Sequence, residues 1–174
     1  MALYGIHQLT ASFRTVRANT IRVAEDIPEA AYQYRPAPAS RSVAETLVHI
    51  AWLADADRVI HVEKALASFD GFDFAAFLVT SEVEETRQRS KAEIIELLRT
   101  EGDRWVRWVE QLPEAFLSEP FRLPDGASVS RFEMLLGTKE HELHHRAQLT
   151  VIERLLGVVP HFTRNLPISR ERAT

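Results

Sequence analysis

Cysteine is absent from this chain, which removes disulfides, thiolate metal ligands and a cysteine nucleophile together. Any metal has to be held by histidine and carboxylate. Glycine (6) and tyrosine (3) are scarce, while Ala, Leu, Glu and Arg are plentiful, a bias toward helix. A run of roughly 18 apolar residues, enough to span a bilayer, is missing. The opening stretch MALYGIHQLTASFRTVRA lacks the basic start and apolar run of a secretion signal. Excess positive charge is also missing: a net charge of -4 gives no electrostatic reason to expect nucleic acid or an anionic membrane as partner. These absences lead to the expectation of a cytoplasmic protein.

What is present suits one folded unit. With 174 residues, 45% of them hydrophobic and 26% charged, the expectation is a single domain over 1–174 with a sizeable core. No internal repeat or low-complexity segment interrupts it. Leu9, Phe13, Val16, Thr20 and Val23 recur at three and four, predicting a first helix over Leu3 to Asp26. IPEAAYQYRPAPAS then breaks the pattern. Ser40 or Ser42 followed by Glu45 reads as a helix start, the latter as a capping box, and a second helix runs from there to about Lys64. SFDGFDFAAF reads as an aromatic loop over an end of the fold. A third helical pattern covers Val83 to Gln111 and stops at Pro113. PEAFLSEPFRLPDGASVS is a long connection with a Pro-Asp-Gly turn, and Phe121 to Leu123 suits a short strand. The fourth helix starts near Ser128 or Ser130 and ends at Gly157, with an irregular tail from Val158. Four such helices are best buried as an all-α four-helix bundle with long connections over 65–82 and 112–129.

The chemistry concentrates in HELHHRAQL, residues 141–149. On a helix His141 and His145 lie about 40° apart, on the face that also carries Met134, Gln148, Ile152 and Leu155. Imidazoles on a core-directed face need partners, because an unsatisfied buried polar group costs a few kcal/mol. His144 lies to one side of the pair and flanks the site or its rim. The second helix carries His49 in SVAETLVHIAWL, on the face of Ser42, Glu45, Trp52, Leu53, Ala56 and Ile60. A lone inward histidine is as a rule a hydrogen-bonded core residue. With the pair from the last helix, however, three nitrogens converge on the bundle core, a set suited to a divalent ion with open positions.

HELHH also satisfies H-E-x-x-H, in which Glu142 is the general base of a zinc peptidase. The extended motif with a downstream Gly and His is missing, and the helix ends before another ligand can follow. The peptidase reading is therefore set aside. Trp105 and Trp108 read as core and bundle-edge packing, and SEVEETRQRSKAEIIE as a solvated helix face. Arg146 suits an ion pair with acids of the third helix, a substrate carboxylate, or a surface salt bridge.

YRPAPASRSVAETLVHI after a first helix, followed by HELHHRAQL on the last, resembles the DinB/YfiT-like superfamily over nearly the whole chain. The resemblance implies an up-down-down-up four-helix bundle with a three-histidine metal site. The histidine ending the S-V-A-E-x-L-x-H-type motif matches His49, and the H-x-x-x-H pair matches His141 and His145, leaving His144 outside the ligand set. The family's usual H-R-G-Q is here His145-Arg146-Ala147-Gln148, which keeps a small residue at the third position. Relatives include thiol-dependent transferases or isomerases, using mycothiol or bacillithiol, and metal-dependent hydrolases. Both chemistries suit a metal that acidifies a bound water or thiol. Without cysteine, the thiol has to come from a low-molecular-weight cofactor.

The expectation is thus a metal-dependent transferase, isomerase or hydrolase of a small molecule. The ion is zinc or nickel, with iron as a further option. Glu45 is the candidate for orienting a ligand or moving a proton; equally, it is the third residue of the Ser42 capping box. Gln148 and His144 are candidates for lining the pocket. The alternative from another class is a non-catalytic metal- or small-ligand-binding protein linked to stress. An open metal position inside a reachable pocket separates the two. Leu136, Leu143, Ala147 and Thr150 form a second, partly apolar stripe on the last helix, an expected homodimer face, and relatives are commonly dimeric.

Overall fold

Leu9, Phe13, Val16, Thr20 and Val23 form one stripe along α1 (Ile6–Asp26), and all five are buried. The structure, a computed structural model, describes residues 4–63, 65–164 and 166. Ser42 and Glu45 open α2 (Val43–Arg58) as a reciprocal capping box: Glu45 N donates to Ser42 Oγ at 3.2 Å, and Ser42 N to Glu45 Oε2 at 2.9 Å. The helix continues into a wider π turn, Val59–Glu63.

The single helix expected from Val83 to Gln111 is in fact two helices, α3 (Phe74–Thr86) and α4 (Lys91–Val109). Asp73 caps the first by accepting from Ala76 N, and Arg87 leaves it in an extended conformation. Ser90 and Glu93 then form a second capping box that restarts the chain as α4. Part of the stretch expected to be loop over 65–82 is therefore helical. The strands β1 (Pro120–Arg122) and β2 (Ser128–Ser130) pair antiparallel around the Pro-Asp-Gly turn, one residue earlier than expected for β1. A third capping box, Ser130 with Glu133, starts α5 (Arg131–Leu155), and Gly157 at φ 75° terminates it. Within the tail expected to be irregular, His161–Arg164 forms a short α6.

Contacts along the helices fix their directions. Ser12 meets Lys139 and Arg17 meets Glu142, so α1 and α5 run parallel. Arg14 meets Glu110 while Glu25 meets Arg99, so α1 and α4 are antiparallel. His49 meets His141 and Asp57 meets Thr138, so α2 opposes α5. Leu47 packs in one cluster with Ile94, and Asp57 accepts from Trp105, so α2 and α4 are parallel. The bundle of α1, α2, α4 and α5 is thus up-down-down-up. Because α2 and α4 point the same way, the chain between them must return along the bundle, about 24 Å for a helix of 16 residues. That return segment contains α3, which packs on α2. At the bundle's end the Phe69 ring meets fully buried Phe121 at 5.0 Å, so the aromatic loop does cover an end.

Two apolar clusters fill the bundle. One gathers Val23, Leu47, Ile50, Ile94, Leu98 and Leu149; the other gathers Leu9, Phe13, Ala54, Trp105, Val109 and Leu135. Trp105 stacks on Phe13 at 4.2 Å, and half-buried Trp108 packs at the edge. Between the clusters lies a polar layer that includes Arg17, His49, Glu142 and His145, all buried. On α5, Leu136 packs against the second cluster, Leu143 and Thr150 are half-buried, and Ala147 is exposed. The large exposed apolar side chains of that helix are Val151 and Leu155. Among the described residues no helix is long and apolar enough to cross a membrane.

One buried carboxyl carries a pH signature. Glu153 is 0% exposed, and neither of its oxygens has a hydrogen-bond partner among the described residues. Burial, then the neighbouring Asp26 charge, pushes it up to about 7, against the pull of Arg164 and Arg154. The native state therefore keeps this proton up to about pH 7, whereas the unfolded chain releases it near the ordinary value of 4.5. Stability is full below the unfolded value and declines as pH rises through the folded one. Glu153→Leu should melt higher than wild type at pH 8.5, by on the order of several degrees. The gain should shrink toward pH 5; an equal difference at both pH values contradicts the assignment.

Candidate metal centre

The Ser42 cap sets the phase of α2, and two turns later His49 points into the polar layer, 7% exposed. On α5, His141 and His145 stand one turn apart and face it. His49 Nε2 lies 3.1 Å from His141 Nε2, and His145 Nε2 lies 2.9 Å from the same atom. One ligand atom from each ring falls within 4.8 Å of the others. The structure brings together the three histidines singled out in the sequence.

The outer ring nitrogens settle what these inner atoms can be. His49 Nδ1 is 2.7 Å from Glu85 Oε1 and donates to it. His145 Nδ1 donates to Gln148 Oε1 at 2.9 Å. With those protons on Nδ1, Nε2 of either ring in its neutral form carries a lone pair directed at the shared centre. Facing lone pairs about 3 Å apart repel unless a proton or a cation lies between them. Burial, then the charges of the neighbouring histidines, pushes His141 down to about 3 and so disfavours a second proton on that ring, while the single proton of its neutral form can bridge to only one of the two neighbours at a time. Burial likewise lowers His145, opposed by its bond to Gln148. The donor set of three imidazole nitrogens fits a divalent transition ion.

Glu85, on α3, is the functional side chain that sequence reasoning missed. It was read into a solvated charged face, yet it is 8% exposed and accepts from three groups. These are His49 Nδ1, Ser81 Oγ at 3.0 Å and Arg41 Nε at 2.6 Å. Burial pulls its proton affinity up, but the bonds from His49 and Arg41 outweigh that and hold it at about 2. A permanently ionised carboxylate behind an imidazole fixes both tautomer and ring orientation. No apolar periodicity marks Glu85, and its partner is 36 positions away; only the return of the chain over α2 brings them together.

The remaining candidates separate by their partners. Gln148 bridges: its Oε1 takes His145, and its Nε2 donates to His144 Nε2 at 3.0 Å. His144 is exposed, and its Nε2 lone pair is already used. Glu45 keeps its capping role and also pairs with Arg35, while its side chain lines the cleft beside the centre. Glu142 points away and lies against Arg17, with Arg17 Nε 3.0 Å from both carboxylate oxygens. Among the described residues Arg146 forms no ion pair with an acid; it donates to Val16 O at 3.2 Å and lies over the Phe162 ring.

A cleft of about 920 Å³ leads to this centre. His145 and Gln148 of α5, Glu45 and Thr46 of α2, and Leu78, Ser81 and Glu85 of α3 line it. A small molecule of ordinary size fits such a volume.

A family model described as the DinB superfamily matches residues 12–149. YjoA of Bacillus subtilis strain 168, described as uncharacterized, is 27% identical over 157 residues, covering 87% of this chain and 90% of that protein. Its crystal structure, that of a DinB-like protein, superposes with a TM-score of 0.65 over 93% of this chain and 97% of that one. YfiT from Bacillus subtilis, described as a probable metal-dependent hydrolase with an unusual four-helix bundle topology, gives a TM-score of 0.68 at 16% identity, covering 91% of each chain. A mycothiol-dependent maleylpyruvate isomerase gives 0.63 at 15% identity, covering 84% of this chain and 61% of that one.

Proposed function

The chain belongs to the DinB superfamily, and on that premise we propose that it is a metal-dependent enzyme acting on a small molecule. His49, His141 and His145 hold one divalent ion, zinc or nickel before iron. The observation that carries this reading is the pair of committed Nδ1 protons, which turns two Nε2 lone pairs onto a third imidazole. The ion supplies Lewis acidity toward a water or a thiol.

The chain's own residues do the rest. Glu85 and Gln148 hold two rings in one tautomer and orientation. Leu78, Val151 and Ile152 give the cleft an apolar wall that excludes water from one side of a bound molecule. Glu45 sits at the cleft as the carboxylate placed to take or give a proton. Fold-sharing relatives include proteins described as a probable metal-dependent hydrolase and a mycothiol-dependent maleylpyruvate isomerase, and the absence of cysteine means that thiol transfer requires a small thiol in the cleft. A reachable cleft, rather than a closed site, favours turnover over simple metal storage.

Turnover of the metal-loaded protein is the test. Small electrophiles and esters are offered with and without bacillithiol or mycothiol. Thiol consumption above the protein-free rate, lost on adding EDTA, establishes transfer or isomerisation. Ester cleavage without thiol establishes hydrolysis. Full metal occupancy with neither reaction leaves a binding protein and removes the enzymatic reading.

A further inference from the structure

Two guanidinium groups, Arg35 and Arg41, line the cleft beside the histidines. They differ in what they have left to offer. Arg35 turns both Nη groups onto the protein: Nη1 donates to Ser40 O at 2.6 Å, and Nη2 pairs with Glu45. Arg41 is anchored by its inner nitrogen, with Nε donating to Glu85 Oε2 at 2.6 Å and Nη2 lying 3.5 Å from Oε1. Its Nη1 has no partner among the described residues, and the side chain is 43% exposed. Glu85 therefore ties two groups together, with one oxygen on His49 and the other on Arg41. The free edge of Arg41 is held at a fixed place relative to the histidine centre.

We propose that Arg41 anchors a carboxylate of the small-molecule ligand, so that the cleft selects molecules pairing a carboxylate with an apolar body. This rests on the metal-site reading above. A planar fork with free Nη donors matches a carboxylate edge. The apolar body is indicated by Leu78, Val151 and Ile152, with Leu78 and Val151 more than half exposed toward solvent. Charge agrees once the ion is present: two arginines against Glu45, Glu82 and Glu85 leave the bare cleft with one excess negative charge, and a divalent ion reverses the sign. Glu45 and Glu82 work against a dianion such as phosphate, which is why the carboxylate is the class assigned.

Binding of 3-phenylpropionate to the metal-loaded protein, followed by calorimetry, tests this. Its neutral amide and inorganic phosphate serve as comparison ligands. Wild type should bind the acid, and Arg41→Met should bind it about tenfold more weakly or worse, as expected for loss of a charge-assisted hydrogen bond. Arg35→Met, which removes a cleft charge but leaves the free Nη1 edge of Arg41 in place, should weaken the acid less than Arg41→Met does, and the amide should bind weakly and alike to all. Arg41→Lys, which keeps the charge without the fork, should fall between, and it carries the test if Arg41→Met does not fold. Equal binding of the acid to wild type and Arg41→Met overturns the proposal. So does an amide as tight as the acid, phosphate binding with the same Arg41 dependence, or no binding of the acid to wild type. Metal content is measured on the same samples: absence of metal sinks the metal reading, while the wild type to Arg41→Met difference still decides Arg41.

Discussion

His141→Ala is expected to lose bound metal altogether after dialysis, while His144→Ala keeps the wild-type content. His141 Nε2 is the atom the other two rings share, at 3.1 and 2.9 Å, so removing it leaves two ligands with no common neighbour. A complete structural zinc site is worth about 10–16 kcal/mol, so each of about four ligands accounts for about 3 kcal/mol or more. Loss of one ligand then weakens binding on the order of a hundredfold or beyond. His49→Ala should behave like His141→Ala. His144 is the discriminating control, one position from His145 in sequence but exposed and occupied by Gln148. Emission spectroscopy after reloading with zinc or nickel reads the result. Equal metal in wild type and His141→Ala, or loss in His144→Ala, overturns the ligand set. Glu85→Gln belongs to the same series with a smaller expected loss, about 10–100-fold in affinity, because it removes the charge behind His49 and leaves the three nitrogens in place.

The contrast between His49 and Glu85 shows what can be read from a linear chain. Helical phase is local: the spacing of His141 and His145, and the distance of His49 from its Ser42 cap, place all three rings inward before any tertiary fact is known. The stripe on α1 is legible for the same reason. Glu85 is different, since its role depends on where α3 docks, and that depends on α2 and α4 running parallel. The charged run SEVEETRQRSKAEIIE looks uniform, and the break inside it comes from Ser90 with Glu93, a capping box of the same form as the one recognised at Ser42. Reading that signal separates α3 from α4 and turns an apparent surface face into a short helix with its own buried side. The neighbour of Glu85 still requires the fold. Arg41 escapes in the same way, because the carboxylate that its Nε meets, Glu85, lies 44 positions away in sequence.

Glu142 provides the largest expected effect on stability, and it also tests the peptidase-like string directly. Arg17 and Glu142 face each other in the polar layer with side chains 6% and 2% exposed. Arg17 Nε lies 3.0 Å from both oxygens of Glu142, and Nη1 donates to Leu98 O at 2.6 Å. Gly102 makes room for this: a Cβ there would stand 3.0 Å from Arg17 Cγ and 3.1 Å from Nη1. Glu142→Leu leaves the guanidinium buried against Leu98 O with its countercharge gone. Breaking a buried pair in this way costs about 3–5 kcal/mol, which for a chain of this size lowers Tm by roughly 6–20 °C. Arg17→Met with Glu142→Leu removes both desolvated charges and should recover most of the loss, since replacing a whole buried pair by apolar groups is often neutral. Both melts are read on metal-free protein, because a bound ion raises Tm by ligand linkage. Where Glu142→Leu folds, its metal content should equal wild type, as its carboxylate faces Arg17 rather than the histidines. An unchanged Tm contradicts the buried pair. A double variant as unstable as the sum of its single variants means that Arg17 and Glu142 act independently and likewise contradicts the coupled pair, and metal loss in folded Glu142→Leu returns the carboxylate to the metal site.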